Sequence, residues 1–404
     1  MAFSKLGLHP ELVRGVRAMG FTEPTPIQLQ AIPLAQQGLD LLGCAQTGSG
    51  KTAAFALPIL HRLLEKPAAG VRAVVIVPTR ELAAQVETAF RDCGRFVSFK
   101  IAVIIGGVGY HEQRKAVSQG AQILVATPGR LLDLIQQRAV RLEHVEQLVL
   151  DEADRMLDMG FLPAIKDILG RLPRQRQTML FSATLGPEIE RVASFALRDP
   201  KRVEISKPTS VAEGIRQVVY PVTPQQKTDL LIALLQATQI RSGVIFCRTK
   251  HGADRVAHRL KEKGFSIGLL HANRTQGQRT QAMETFRDGR TQILVATDIA
   301  ARGIDVREIS HVINYDLPRH PEDYVHRVGR TARAYGVGDA ITLMVPEEQP
   351  YLGAIERFVG TVFPRAMLPS FSYSVPPLLA APKPRSFRDL NWGRYRRRFR
   401  GRRR

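Results

Sequence analysis

Ala45, Gln46, Thr47, Gly48, Ser49, Gly50, Lys51 and Thr52 run in this order, and these residue types at this spacing suit one task, the holding of linked phosphates. Two glycines let successive backbone N–H groups turn toward a single anion. The lysine would reach the outer phosphates, and the threonine hydroxyl is an oxygen ligand suited to Mg2+. The stretch follows the pattern G-x-x-x-x-G-K-S/T, except that Ala45 stands at its first position. Further along, an apolar run from 147 to 150 (QLVL) delivers Asp151, Glu152, Ala153 and Asp154. If that run is a strand of a parallel sheet, the acids lie at its carboxyl end, on the side where the phosphate loop also lies. Asp151 would then hold Mg2+ through its water shell, and Glu152 would orient or deprotonate a water attacking the terminal phosphate.

Such residues need strands to carry them. Leu41–Ala45, Ala73–Val77, Ile101–Ile105, Ile123–Ala126, Leu148–Leu150 and Thr178–Phe181 are short apolar runs separated by amphipathic stretches, two of which read as helices over Thr52–Leu64 and Glu81–Phe90. The rhythm restarts after about residue 215 with Val244–Cys247, Ile267–Leu270, Ile293–Ala296, His311–Asn314 and Ala340–Met344. This alternation predicts an α/β chain built on two tandem parallel sheets. A chain of 404 residues is also too long for one ordinary core. The expected division is a first domain over 1–206, a polar linker over 207–214, a second domain over 215–363 and an appendage over 364–404.

The formal charge of +21 points to a polyanionic partner, and its distribution is uneven. Residues 364–404 hold twelve Lys or Arg and one acid, Asp389, which gives +11 of the +21. Arginines there alternate with Trp392, Tyr395 and Phe399, a mixture suited to phosphate attraction and base stacking, and the segment is expected to be disordered in isolation. Cys44, Cys93 and Cys247 have no metal-ligand spacing and read as core residues of a reducing compartment. Nothing in the sequence resembles a signal peptide or a membrane span, so the expectation is a cytoplasmic protein with no membrane partner.

Further motifs give these features a family. Gly20–Gln28 (GFTEPTPIQ), Pro78–Ala83 (PTRELA), Gly106–Gly107, Thr127–Arg130 (TPGR), Ser182–Thr184 (SAT), Val244–Lys250 (VIFCRTK), His271–Arg279 (HANRTQGQR), Thr297–Asp305 (TDIAARGID) and His326–Arg333 (HRVGRTAR) occur in this order. In order and spacing they resemble the DEAD-box RNA helicases, named for the four letters at 151–154, over about residues 1–345. The resemblance implies two RecA-like domains that close on one ATP with Mg2+, and RNA, single-stranded or a short duplex, lying across both.

By the same resemblance Gln28 reads the adenine edge, with Phe3 as the stacking aromatic and Phe21 beside it. Pro78, Thr79, Arg80, Gly106, Gly107, Thr127, Pro128, Gly129 and Arg130 would meet RNA from the first domain. Arg248, Gln276, Arg279 and Thr297 would meet it from the second. Asp305 would contact the ribose. Ser182, Thr184, Asp154 and His326 would couple nucleotide state to strand separation, and Arg330 and Arg333 would reach the γ-phosphate as arginine fingers. Asn273 departs from the Asp found in many members. With TARA at 331–334 it resembles the RhlE-type bacterial subgroup, which would place a monomer in ribonucleoprotein or RNA-decay assemblies. A DNA-directed ATPase and a nucleotide-gated RNA clamp or annealing module are the alternatives at this stage.

Overall fold

The structure, a computed structural model, describes residues 2–45, 48–205, 215–238, 240–298, 309–329, 331 and 338–374. Among these the first sheet has seven strands: β1 (Leu41–Cys44), β2 (Ala73–Ile76), β3 (Ile101–Ile104), β4 (Ile123–Ala126), β5 (Gln147–Leu150), β6 (Gln177–Ser182) and β7 (Lys201–Glu204). Their order across the sheet is β3-β4-β2-β5-β6-β1-β7, every pairing parallel. The central strands are buried along their whole length, which is why they read as continuous apolar runs rather than as alternating ones. Helices cover both faces and divide the apolar residues into two clusters, one around Phe55, Phe90 and Phe181 and the other around Leu131, Leu148 and Met156.

A second parallel sheet has the order β10-β11-β9-β12-β13-β8. Its strands are β8 (Ile215–Pro221), β9 (Gly243–Cys247), β10 (Ile267–Leu270), β11 (Ile293–Thr297), β12 (His311–Asn314) and β13 (Gly338–Met344). Two tandem α/β parallel-sheet domains are therefore present, as the alternating pattern predicts. The linker expected at 207–214 lies outside the described residues.

Two edge strands escape the sequence reading. β7 buries only Val203 of its four residues, and β8 is fully buried at only two of its seven positions. An edge strand gains its backbone bonds from one neighbour and can form without an apolar run, and where that run is absent, as in β7 and β8, periodicity gives no sign of it.

The expected appendage over 364–404 also needs correction at its start. Arg365 bridges to Val219 of β8, with backbone bonds Val219 N to Pro364 O (2.9 Å) and Ala366 N to Val219 O (2.9 Å). Its guanidinium pairs with the buried Glu356, and Leu368, Phe371 and Tyr373 pack on the second-domain core. Residues 364–374 thus belong to the second domain: the few apolar side chains among the prolines find a ready-made surface, which composition alone does not reveal. Residues 375–404, with the aromatic and arginine-rich stretch, lie outside the described residues. All three cysteines are buried and outside any disulfide. No described helix is long and apolar enough to cross a membrane.

Candidate nucleotide site and nucleic-acid face

The strand order itself assembles the site. β6 lies between β1 and β5, and its register places Leu180 beside Leu150 and Ser182 beside Cys44, so the three carboxyl ends finish within two residues of one another. With neighbouring strands about 4.8 Å apart, the loop after β1 and the acids after β5 stand about 10 Å from each other. The turn after β6 fills the gap between them.

On one side, Gly48 and Gly50 adopt φ of 85° and 92°, a region open to glycine at little cost, and Gly50 caps the helix Lys51–Glu65 (α3). Lys51 is buried, and its ammonium donates to the carbonyl of Ala45. Burial lowers its pKa, while Asp151 and Asp154 favour its charge. Thr52 follows in the first turn of α3, half-buried, and Ser49 lies beside it. Gln46 and Thr47 lie outside the described residues.

On the other side, Asp151 is 2% exposed and Glu152 sits at φ 52° as the cap of a short helix, Ala153–Asp158 (α7). A non-glycine residue held in the left-handed region is uncommon, and here the strain redirects the chain so that both carboxyls stay near the strand end. Asp151 Oδ1 accepts from the N–H of Glu152 (3.0 Å), and the carboxylate of Glu152 pairs with Arg155. Burial pushes the carboxyl of Asp151 up to about 6 against its ordinary 3.8; Lys51 opposes the shift and Asp154 adds to it.

Between the two sides, the backbone N–H of Ala183 donates to Asp154 Oδ2 at 3.0 Å, and Thr184 Oγ1 donates to the same oxygen at 3.4 Å. Ser182 faces inward instead, its hydroxyl accepting from the N–H of Thr184 (3.3 Å). The tie from this turn to the acids thus runs through Ala183 and Thr184, with Ser182 bracing the turn.

Phe3, the aromatic expected to stack on a base, lies in the first-domain core. That ring is 3% exposed, with no face free, whereas Phe21 is 43% exposed. Gln28 is buried: its Oε1 accepts from Thr25 N (2.9 Å) and its Nε2 donates to Gly50 O (3.1 Å). One N–H and one lone pair of the carboxamide remain for a ligand, so Gln28 joins the Gly20–Gln28 segment to the phosphate loop. A Cβ at Gly50 would come within 2.4 Å of that amide, so the position is closed to larger residues.

A separate cluster gathers the remaining motifs of both domains. Thr79 caps the helix Arg80–Cys93 (α4), its hydroxyl accepting from Leu82 N at 3.2 Å, with Pro78 buried before it. Arg80 lies flat against Gly106 and Gly107, where an added Cβ at 107 would stand 2.1 Å from its Nη1. The helix Pro128–Gln136 (α6) starts after Thr127; Pro128 is buried and Gly129 exposed. Arg130 donates to Val108 O (2.8 Å) and covers the ring of Tyr110 at 4.0 Å.

From the second domain, Gln276 accepts from Arg80 Nη1 at 3.2 Å, and Arg279 pairs with Glu81 at 2.7 Å, the latter pair only 13% and 12% exposed. Thr297 is half-buried at the end of β11, whose motif continues outside the described residues through Asp305. Arg248 departs from expectation. Its guanidinium is turned toward Glu348 (2.5 Å) and the carbonyl of Leu317 (3.3 Å), into a charge cluster with Lys227 and Asp316, although part of its side chain stays exposed.

Arg330 and Arg333 lie outside the described residues. The helix leading to them, Pro321–Val328, carries His326, half-buried, and Arg327, which the sequence reading missed. Arg327 is 2% exposed, binds both oxygens of Asp298 (2.6 and 2.7 Å), and donates to Asn314 Oδ1 (3.0 Å) and Asp316 O (2.6 Å). It ties that helix to the end of β11 and to the turn after β12. Its place between named motif residues was the only available signal.

Two stacked parallel-sheet domains, one phosphate loop and a basic seam shared by both define a two-domain nucleoside-triphosphate-driven engine. Residues 25–192 match the DEAD/DEAH box helicase family model, and residues 226–335 match the helicase conserved C-terminal domain. The ATP-dependent RNA helicase CshA of Listeria monocytogenes is 42% identical over 355 residues, 88% of this chain and 68% of that protein. The DEAD-box ATP-dependent RNA helicase CshA of Bacillus subtilis is 41% identical over 358 residues, 88% and 72% of the two chains. Saccharomyces cerevisiae Dbp5 bound to RNA and ADP BeF3 matches with a TM-score of 0.83 at 32% identity, over 91% of this chain and 95% of that one. A Dbp5 variant bound to Gle1 and IP6 covers the same shares and scores 0.73. This chain belongs to the DEAD-box helicase family.

Proposed function

We infer that this chain drives local RNA unwinding by closing its two domains around one ATP and one RNA strand. It is an ATP-hydrolysing RNA helicase, consistent with relatives of that activity at 41–42% identity over 88% of its length. The observation that carries the reading is the seam between the domains, where Arg80 and Glu81 meet Gln276 and Arg279 beside Gly106, Gly107 and Arg130. Residues expected to touch RNA from each domain converge there. Phosphate-seeking arginines, helix starts and close glycine backbones suit the sugar-phosphate chain rather than base edges, so little sequence preference is expected. The higher TM-score with the RNA- and nucleotide-bound form of Dbp5 supports a domain arrangement close to the closed one.

In this reading Lys51 and the loop N–H groups hold the β and γ phosphates, Gln28 and Phe21 hold the base, and Glu152 handles the attacking water. Arg330 and Arg333 steady the charge that develops on the γ-phosphate. Asp154 reports the state of the acids to Ala183 and Thr184. Thr52 and Asp151 form an oxygen-only donor pair, and burial disfavours the charge of the Asp151 carboxylate, so a cation beside it would stabilise the ionised form, which fits Mg2+. When bound, Mg2+ would neutralise charge on the phosphate oxygens. The subgroup reading moves from RhlE-type toward CshA-like, the name that the relatives above carry. Assembly partners in ribonucleoprotein or RNA decay, a monomeric state and an RNA-gripping segment at 375–404 complete the proposal.

The direct test is ATP turnover with RNA and DNA of identical sequence, alongside strand displacement of a short RNA duplex. Stimulation by RNA at least tenfold over DNA, with ATP-dependent displacement, is expected; equal stimulation by both would overturn it.

Acid should also inhibit. Asp151 keeps its proton in the folded chain up to about pH 6 but would lose it near 3.8 when unfolded, so its protonation favours the fold below 3.8, and that contribution fades as pH rises to 6. The form that serves a cation is the ionised one. ATP turnover should therefore fall on acidification through about pH 6, and higher Mg2+ should move this limb to lower pH. A limb that ignores Mg2+ in pH–rate profiles would remove Asp151 from the role.

A further inference from the structure

We propose that Gln113 is a positioning residue for RNA binding, its buried carboxamide fixing the shape of the loop from Ile105 to Gly109. The proposal rests on the reading above that Gly106 and Gly107 face RNA.

Gln113 lies in the helix Tyr110–Ser118 (α5) and is the one residue of that helix that is fully buried, at 4% exposure. An amphipathic surface helix usually anchors itself through an apolar side chain, and a carboxamide in that place is costly unless each polar atom is matched. Here each is. Oε1 accepts from Ile105 N at 3.1 Å, and Nε2 is 3.0 Å from Ile105 O, 3.2 Å from Val108 O and 3.4 Å from Gly109 O. All of these contacts go to one loop.

The loop is a tight turn with no strand beside it. Gly107 has φ of 77°, and the part-buried backbone groups around it gain from bonds made outside the turn. Gln113 supplies them from beneath. From the other side, Arg80 rests on Gly106 and Gly107, and Arg130 bonds the same Val108 carbonyl that Gln113 reaches.

The direction of these bonds bears on function. A surface that receives phosphates is weakened by carbonyl oxygens, the negative ends of peptide dipoles. Gln113 draws those of Ile105 and Gly109 toward the helix and shares that of Val108 with Arg130, leaving the side that Arg80 and Arg130 present less negative. Glutamine is required for this: a glutamate could keep the bond from Ile105 N but would set a carboxylate against three carbonyls, and a leucine would fill the space without bonding anything.

The experiment compares Gln113→Glu, Gln113→Leu and Gly107→Val, with Glu112→Gln on the exposed face of the same helix as control. RNA-stimulated ATP turnover is measured against RNA concentration, with amide hydrogen exchange of the full chain. Both Gln113 variants should raise the RNA concentration for half-maximal turnover about tenfold, the scale of losing one or two net hydrogen bonds, while the maximal rate changes less. Faster exchange should be confined to residues 105–109, and Glu112→Gln should match the native chain. An effect of Gly107→Val on RNA affinity without one of either Gln113 variant would overturn the proposal and leave the loop's role standing. No effect of Gly107→Val would overturn the reading beneath it. Exchange that rises across the whole first sheet, or a lower maximal rate at unchanged RNA affinity, would make Gln113 a general scaffold residue and equally overturn the proposal.

Discussion

Replacing Glu152 with glutamine is expected to slow ATP turnover by about 10³-fold while RNA remains held in the presence of ATP. The side chain keeps its size and its place at the left-handed cap of α7, so the turn after β5 should survive. What disappears is a carboxylate able to take a proton from water, along with the charge that faces Arg155. Neither loss touches Lys51 or the seam between Arg80 and Gln276, which lie on other elements. The variant should therefore trap the closed form: single-turnover phosphate release nearly stops, and filter-bound RNA dissociates more slowly with ATP than from the native chain. Phosphate release within tenfold of native would take Glu152 out of the chemistry.

Arg327→Met should be the most damaging substitution in the second domain. The guanidinium makes a two-pronged pair with Asp298 and two further bonds, to Asn314 and Asp316, from a position that is 2% exposed. Its removal leaves a largely desolvated carboxylate and two acceptors without their donor, a class of change that costs about 3–5 kcal/mol. Asp298 keeps some solvent access, which places the expectation toward the lower end of that range. The loss should appear as an earlier thermal transition of the second domain, with the first domain's transition in place. RNA-stimulated turnover should fall too, because the helix that leads to Arg330 and Arg333 is no longer tied to β11. Arg327→Lys should rescue little, since an ammonium cannot reproduce the planar fork. A lysine variant with native melting and native turnover would refute the assignment.

The parts that could be read from the sequence are those whose physics is local. Gly48, Gly50, Lys51 and Thr52 carry their meaning within one turn, and Asp151 and Glu152 follow an apolar run that fixes their place at a strand end. Central strands were legible because burial on both faces writes an unbroken apolar run. Long-range geometry was not. Arg327 and Lys227 bond to residues that only the fold brings near, and Gln113 bonds a nearby loop whose path only the fold defines; no residue type in the three positions sets them apart from surface polar residues. Phe3 and Arg248 lie away from where their motifs suggest for a related reason: a motif fixes a position along the chain, but whether the side chain points outward or to the core depends on packing from elsewhere. Phe3 is claimed by the apolar cluster under α3, and Arg248 by the acid of Glu348. Of the four edge strands, β3 and β10 kept apolar runs that could be read, whereas β7 and β8 did not, because one-sided pairing places few demands on side chains.

The ordered run from Pro364 to Ser374 changes how the arginine-rich end should be removed. A chain cut at 363 would strip Arg365 from Glu356, uncover the sites of Leu368, Phe371 and Tyr373, and deprive Gln226 of its bonds to Ser374. Weakened RNA affinity in such a protein would mix a loosened lobe with a missing cationic extension. Cutting after Ser374 isolates the extension alone.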